Sequence, residues 1–325
     1  MLPSAAMEPP PAAPLPALPP GARAAVLAWY DDRGRALAFR ATRDPWAILV
    51  SEVMAQQTQI SRVVAAWGRF LARFPTVADL AAATPADVLR SWQGMGYDRR
   101  ALNLRRAARV IVAEHGGQVP RDVAELERLP GIGPYTARAV ASIAFGERVG
   151  AVDTNVRRVL GRVVAGRDAA GATAAPVPAR EMQAMADLAV DPDRPGDWTH
   201  AVMDLGATVC RPREPRCEAC PLRAWCRFAA DPAPPVGPPN RPPARPPARP
   251  PARPAPPRFP ATMRWLRGRI VDRLRSATGS EWTRIAAPIG EHDAEAVARA
   301  LAALARDGVV ELDPHDERGA RLATR

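Results

Sequence analysis

The chain has 325 residues, 47% of them hydrophobic, which is enough apolar material for about two packed domains and excludes a wholly disordered chain. All 45 basic residues are arginine, against 34 acids, giving a formal net charge of +11 with no lysine at all. No run of about 18 apolar residues occurs and the N-terminus has no unbroken apolar signal segment, so a membrane span is not expected and the cytosol is. In that reducing compartment the four cysteines, confined to residues 210–226, read as metal or cluster ligands rather than disulfides.

In chain order, residues 1–21 form a Pro/Ala-rich tail expected to be disordered. Residues 22–228 carry helical periodicity throughout. Asp44-Pro45 reads as an N-cap with proline at the first helical position, and Thr76-x-x-Asp79 and Thr84-Pro85-x-Asp87 as capping boxes. Gly94-Met95-Gly96 and Gly131-Ile132-Gly133 are short turns between helices, so this is an all-α domain. Residues 229–260 are a Pro/Arg-rich linker; the R-P-P-A repeat from Arg241 to Arg258 holds five arginines and no acid and favours a semi-rigid polyproline II spacer. Residues 261–325 follow the order helix (about 262–277), short segment (282–289), helix (293–307) and two strands (about 309–312 and 321–324), the pattern of a small winged-helix-like domain. Its second helix begins Glu291-His292-Asp293-x-Glu295, and acid at a groove-facing end repels phosphate. A protein partner, or weak non-specific DNA contact, fits this segment better than sequence-specific reading.

Three motifs carry chemistry. Cys210-x6-Cys217-x2-Cys220-x5-Cys226 supplies four thiolates, enough for a tetrahedral zinc ion or a [4Fe-4S] cluster. Arg211, Arg213 and Arg216 lie between the first two ligands and make a small basic loop suited to phosphates. Leu129-Pro130-Gly131-Ile132-Gly133-Pro134-Tyr135-Thr136 is either an ordinary helix-helix turn or one whose amides approach an anion at a helix N-terminus. Twenty residues beyond Gly133, Asp153 starts the next helix, either as a plain N-cap or as a carboxylate that this end of the helix favours. In Trp46 to Gln59, Glu52 is one acid in the middle of an apolar helix; facing solvent it is an ordinary surface residue, whereas buried it is a candidate general acid, because burial favours the protonated carboxyl.

Together these strings resemble the MutY-type adenine DNA glycosylases of the helix-hairpin-helix, endonuclease III superfamily over about residues 24–228. Ser51-Glu52-x-Met54-x-Gln56-Gln57-Thr58 looks like that family's S-E-x-M-x-Q-Q-T, residues 129–136 like its L-P-G-x-G-x-x-T hairpin, and the 6-2-5 cysteine spacing like its cluster loop. The resemblance implies a six-helix barrel module plus an iron-sulfur module, a [4Fe-4S] cofactor on Cys210, Cys217, Cys220 and Cys226, and excision of adenine opposite 8-oxoguanine or guanine. It implies Glu52 as the acid, Asp153 as the ionised partner, and Tyr135 and Asn155 in the same site. Gln57 would fill the gap left by the flipped base, Arg35, Phe39 and Asp204 would line the adenine pocket, and Tyr97, Gly131 and Gly133 would contact DNA.

The expected partner is double-stranded DNA bearing a mismatched adenine, without nucleotide cofactor or membrane, acted on by a monomer in the bacterial cytoplasm at the nucleoid. Schiff-base relatives need an activated amine, and with Tyr135 where their lysine stands and no lysine elsewhere, monofunctional hydrolysis is expected. The match fails in two places. The C-terminal segment is too short and too helical for the family's Nudix-like domain, and Asp98 replaces the second tyrosine after Gly96-Tyr97. Two rivals remain open here: a pyrimidine-specific glycosylase of the endonuclease III type, and a non-catalytic iron-sulfur DNA-binding regulator.

Overall fold

The computed structural model describes residues 17–166, 177–230, 258–277 and 281–324. The tail before residue 17 and most of the Arg-Pro repeat lie outside the described residues. In chain order the helices are α1 (Pro20–Arg33), α2 (Pro45–Ala55), α3 (Ile60–Arg73), α4 (Val77–Ala82), α5 (Pro85–Ser91), α6 (Arg99–Glu114), α7 (Val123–Arg128), α8 (Pro134–Phe145), α9 (Thr154–Ala165), α10 (Ala179–Ala189), α11 (Pro195–Thr208), α12 (Arg227–Ala230), α13 (Met263–Ser276) and α14 (Ala294–Arg306). The strands are β1 (Thr283–Arg284), β2 (Val310–Leu312) and β3 (Gly319–Leu322). Among the described residues no helix is long and apolar enough to cross a membrane.

The chain divides into two compact units that do not follow its linear segments. The first joins α1 to residues from 146 through α12; the second joins residues 36–145 to the C-terminal helices and strands.

In the second unit α2 is the central helix. Asp44 accepts hydrogen bonds from the Trp46 and Ala47 amides, both at 3.2 Å, a cap that contributes about 1 kcal/mol. Every residue from Trp46 to Met54 is buried, so the helix has no solvent face and its one carboxyl, Glu52, is carried inside. Thr76 and Asp79 form the reciprocal capping box of α4, and Thr84 caps α5 through the Asp87 amide at 3.1 Å. Edge-on contacts of Phe70 with Phe74 and Trp92, at 5.0 and 5.6 Å between centroids, close this part of the core.

The C-terminal segment belongs to this same core. Its strands pair antiparallel in the order β1-β3-β2, with Thr283 opposite Ala320 and Val310 opposite Leu322. The apolar face of α13 (Leu266, Ile270, Leu274) and that of α14 (Val297, Leu301, Leu304) form one buried cluster with Ala86, Leu89 and Leu102 of α5 and α6. Full burial of each such large side chain contributes about 1.5–3 kcal/mol.

In the first unit α9 packs against α10, α11 and α12, and α1 lies along α11. Arg194, at the start of α11, holds Asp31 of α1 through paired bonds of 2.6 and 2.9 Å. That pairing keeps the Asp31 carboxyl below its ordinary value.

Candidate active site

In the second unit, Glu52 is 7% exposed, one turn before the end of α2. The chain then turns through Gln56, Gln57 and Thr58, with Gln57 exposed and held at φ +53°. Arg100 of α6 fixes this turn. One guanidinium nitrogen donates to the carbonyls of Val53 (3.0 Å), Met54 (2.9 Å) and Gln56; the other donates to Thr58 Oγ1 (2.8 Å) and to the carbonyls of Met95 (3.2 Å) and Gly96 (3.1 Å). These satisfy the carbonyls that a helix end leaves without partners. The same guanidinium lies 5.3 Å from the centre of the Tyr97 ring. Burial pulls Arg100 below its ordinary value, opposed by its contacts with Tyr97 and Asp98.

A single cation therefore ties the Gln57 turn to the Gly94–Tyr97 loop. Tyr97 itself sits at φ +50°, and a left-handed backbone costs a non-glycine residue about 1–2 kcal/mol. Sequence reading missed Arg100, because nothing in an Arg-rich helix start distinguishes it from its neighbours.

Gln56 makes the other connection, donating to Thr136 Oγ1 at 3.1 Å and to the Gly131 carbonyl at 3.4 Å. Gly131 has φ +82°, and a Cβ there would meet the Asn103 Cβ at 2.7 Å, so this position requires glycine twice over. Gly133 is different: it is exposed, its φ is not left-handed, and a Cβ would meet nothing. Its missing side chain leaves open backbone beside the start of α8, where Tyr135 is half-buried. Phe39 is packed inside the same unit, edge-on to Trp67 at 6.4 Å.

In the first unit Asp153 caps α9, accepting from the Val156 amide at 2.7 Å and from the Asn155 side-chain amide at 2.8 Å. Asn155 in turn accepts from Arg158 at 2.8 Å, and Arg158 donates to the carbonyls of Gly206 and Cys210, both at 2.7 Å. Asn155 sits so close to α11 that a Cβ on Gly206 would meet its Cβ at 2.6 Å. Arg35 and Asp204 are also brought together. The fully buried Asp204 carboxylate accepts from the Arg35 amide and Nε, each at 2.8 Å, and from Nη2 at 2.6 Å.

The four cysteines line one cavity with Val159, Arg162, Leu205 and Phe228. Among the described residues no three His, Cys, Asp or Glu side chains converge as ligands of a single metal ion. Burial, with the neighbouring sulfurs, pushes the Cys220 thiol up to about 11. Arg162, one turn after Arg158 and 2% exposed, places Nη1 3.4 Å from Cys210 Sγ and 2.7 Å from the Arg211 carbonyl, while Nη2 donates to the Pro212 carbonyl at 3.1 Å. Arg213 and Arg216 are exposed on this loop, whereas Arg211 is half-buried and donates to the Glu214 carbonyl at 3.1 Å.

Known proteins then give this arrangement its kinship. An adenine DNA glycosylase of Mycobacterium tuberculosis (strain CDC 1551 / Oshkosh) is 44% identical over 257 residues, 78% of either chain. The adenine DNA glycosylase of Mycolicibacterium smegmatis is 42% identical over 289 residues, 88% of this chain and 91% of that one. The chain belongs to the adenine DNA glycosylases. Residues 50–175 match the family of HhH-GPD superfamily base excision DNA repair proteins. Among solved structures, a thermostable thymine-DNA glycosylase overlays with a TM-score of 0.58 at 27% identity, covering 64% of this chain and 95% of that one. The fold is thus the helix-hairpin-helix glycosylase fold, and the protein is a base-excision adenine glycosylase. That kinship displaces the pyrimidine-glycosylase and non-catalytic regulator readings.

Proposed function

We propose that this glycosylase removes adenine mispaired with 8-oxoguanine or guanine in duplex DNA by monofunctional hydrolysis, leaving an abasic site. The observation that carries the chemistry is Glu52, a carboxyl buried in a largely apolar helix five residues before an exposed, strained Gln57. Glu52 donates a proton to adenine N7 as the C1′–N9 bond breaks and its electron pair passes to the base. Asp153, oriented by the Val156 amide and Asn155, supports the cationic sugar. Water then adds at C1′ and gives its proton to the Glu52 carboxylate. Tyr135 lies in the first turn of α8, where the relatives that cleave through a Schiff base need an amine. Gln57 fills the gap left by the flipped base, Arg35, Phe39 and Asp204 bound the adenine pocket, and Gly131, Gly133, Arg213 and Arg216 face the phosphates. Such a substrate places the protein in the bacterial cytoplasm at the nucleoid, working as a monomer.

Cys210, Cys217, Cys220 and Cys226 would hold a [4Fe-4S] cluster. A mononuclear zinc site needs sulfurs about 3.8 Å apart around one ion, whereas each cluster ligand serves a different iron. Four cysteines lining one cavity supply the four thiolates that such a cluster needs. Bound, it supplies a rigid clip for the loop.

The test is single-turnover incubation with duplexes carrying adenine opposite 8-oxoguanine, guanine or thymine, half of each treated with alkali. Strand breaks are expected only after alkali, fastest opposite 8-oxoguanine and slowest opposite thymine. Glu52→Gln should lower base release by about 10²–10⁴-fold without loss of duplex binding. Equal excision opposite thymine would overturn the mismatch preference, and a borohydride-trapped adduct would overturn monofunctional hydrolysis.

A further inference from the structure

The C-terminal segment brings a side chain to the Gly94–Tyr97 loop. Arg264, exposed in the first turn of α13, holds its guanidinium 4.2 Å from the centre of the Tyr97 ring and 6.0 Å from that of Phe259. Phe259 and Tyr97 are 60% and 38% exposed. Tyr97 is also within reach of Arg100, which holds the Gln57 turn. Arg100, Tyr97, Arg264 and Phe259 thus follow one another, with Arg100 holding the turn that carries Gln57.

Two acids near this row are paired with arginines. Asp98 is bonded to Arg275 at 2.5 Å, and Asp307 is paired with Arg267. Among the described residues Arg264 forms no ion pair, and exposed Arg258 adds positive charge beside Phe259, while Arg99 lies 4.0 Å from Asp307. Arginine interleaved with exposed aromatic rings is the combination that holds a nucleic-acid backbone while stacking on bases or sugars.

We infer that Arg264 and Phe259 form, with Tyr97, a second DNA-contact surface, so that the C-terminal segment binds the duplex substrate through the N-terminal end of α13. This rests on the DNA-repair reading above and extends it. The acidic start of α14 packs beside this surface, His292 lying 3.0 Å from the Pro260 carbonyl and stacked on Trp265, but Asp293 is engaged in capping α14 through the Ala296 amide and Glu295 is paired with Arg299.

The experiment measures duplex affinity by fluorescence anisotropy across a salt series, using the full-length, cluster-loaded protein and a 30-base-pair duplex with adenine opposite 8-oxoguanine. Arg264→Ala is expected to weaken binding about fivefold or more and to reduce the salt slope by about one unit, the signature of one lost phosphate contact. Phe259→Ala is expected to weaken binding without moving the slope. Both side chains are exposed, so the melting midpoint should hold. Should Arg264→Ala melt early, Arg264→Gln keeps the side-chain length and must show the same change in slope. Unchanged affinity and slope in both variants would overturn the inference and leave the segment to a protein partner. Adenine excision by the unaltered protein is followed in parallel. Failure to excise, with the Arg264 effect intact, would sink the proposed reaction and leave the surface standing.

Discussion

Two glycines in one turn illustrate how unlike identical residues can be. Gly131 combines φ +82° with a Cβ position 2.7 Å from the Asn103 Cβ, so Gly131→Ala adds backbone strain to a clash with α6. The strain costs about 1–2 kcal/mol and local overpacking about 1–3, so a loss of about 2–5 kcal/mol is expected as a lower denaturant midpoint at unchanged slope. Gly133 faces open space, so Gly133→Ala should cost about 1 kcal/mol or less in stability. Its added methyl should instead weaken duplex affinity, because it occupies the space through which a phosphate reaches the backbone. Equal stability losses at the two positions would show that the turn is built for folding alone. The sequence marks both glycines and cannot rank them, since the ranking depends on Asn103, which is brought alongside only by packing.

At the scale of the element, α9 carries two functions on one rod. Its N-cap is Asp153, and its buried arginines, one turn apart, grip the cysteine loop. Arg158 links Asn155 to the Cys210 carbonyl, whereas Arg162 bonds to Cys210 Sγ and the loop that follows. Arg158→Met should therefore misplace Asn155 and slow single-turnover excision by about 10–100-fold, with the visible absorbance expected of the proposed iron-sulfur cluster retained. Arg162→Met should chiefly lower that absorbance. Unchanged excision in Arg158→Met would dismiss the coupling. The local signals of the helices were legible: the caps at Asp44, Thr76 and Thr84 and the apolar run that buries α2 all depend on neighbours within four residues. The arginines that hold the site together were not. Arg100, Arg158 and Arg162 act on carbonyls about 40–50 residues away, and in a chain whose bases are all arginine their identity carries no mark.

At the scale of the molecule, Asp98 stands out as a departure from the family's second tyrosine in the loop after Gly96-Tyr97. Its carboxylate is bonded to Arg275 of α13, which also donates to the Leu89 carbonyl at 2.9 Å, and the two side chains are 15% and 6% exposed. The substitution thus accompanies the docking of the C-terminal segment on α5 and α6, a contact between residues 177 positions apart that linear reading cannot see. Arg275→Met strands the largely buried Asp98 carboxylate and should cost about 2–4 kcal/mol, whereas Asp98→Asn should cost less because Arg275 keeps Asp272 at 2.9 Å. Because residues 259–322 share their core with Ala86, Leu89 and Leu102, that loss should appear as one cooperative denaturation rather than early release of a separate domain. The apolar pair Asp98→Leu with Arg275→Met should recover most of the stability, since both charges of the pair are exchanged and Asp272, the other partner of Arg275, keeps its pairing with Arg269. Urea denaturation followed by circular dichroism and by proteolysis between residues 231 and 257 separates the possibilities. Early release of an intact C-terminal fragment in the single variants would show that the segment folds by itself and that the Asp98 pair only tethers it.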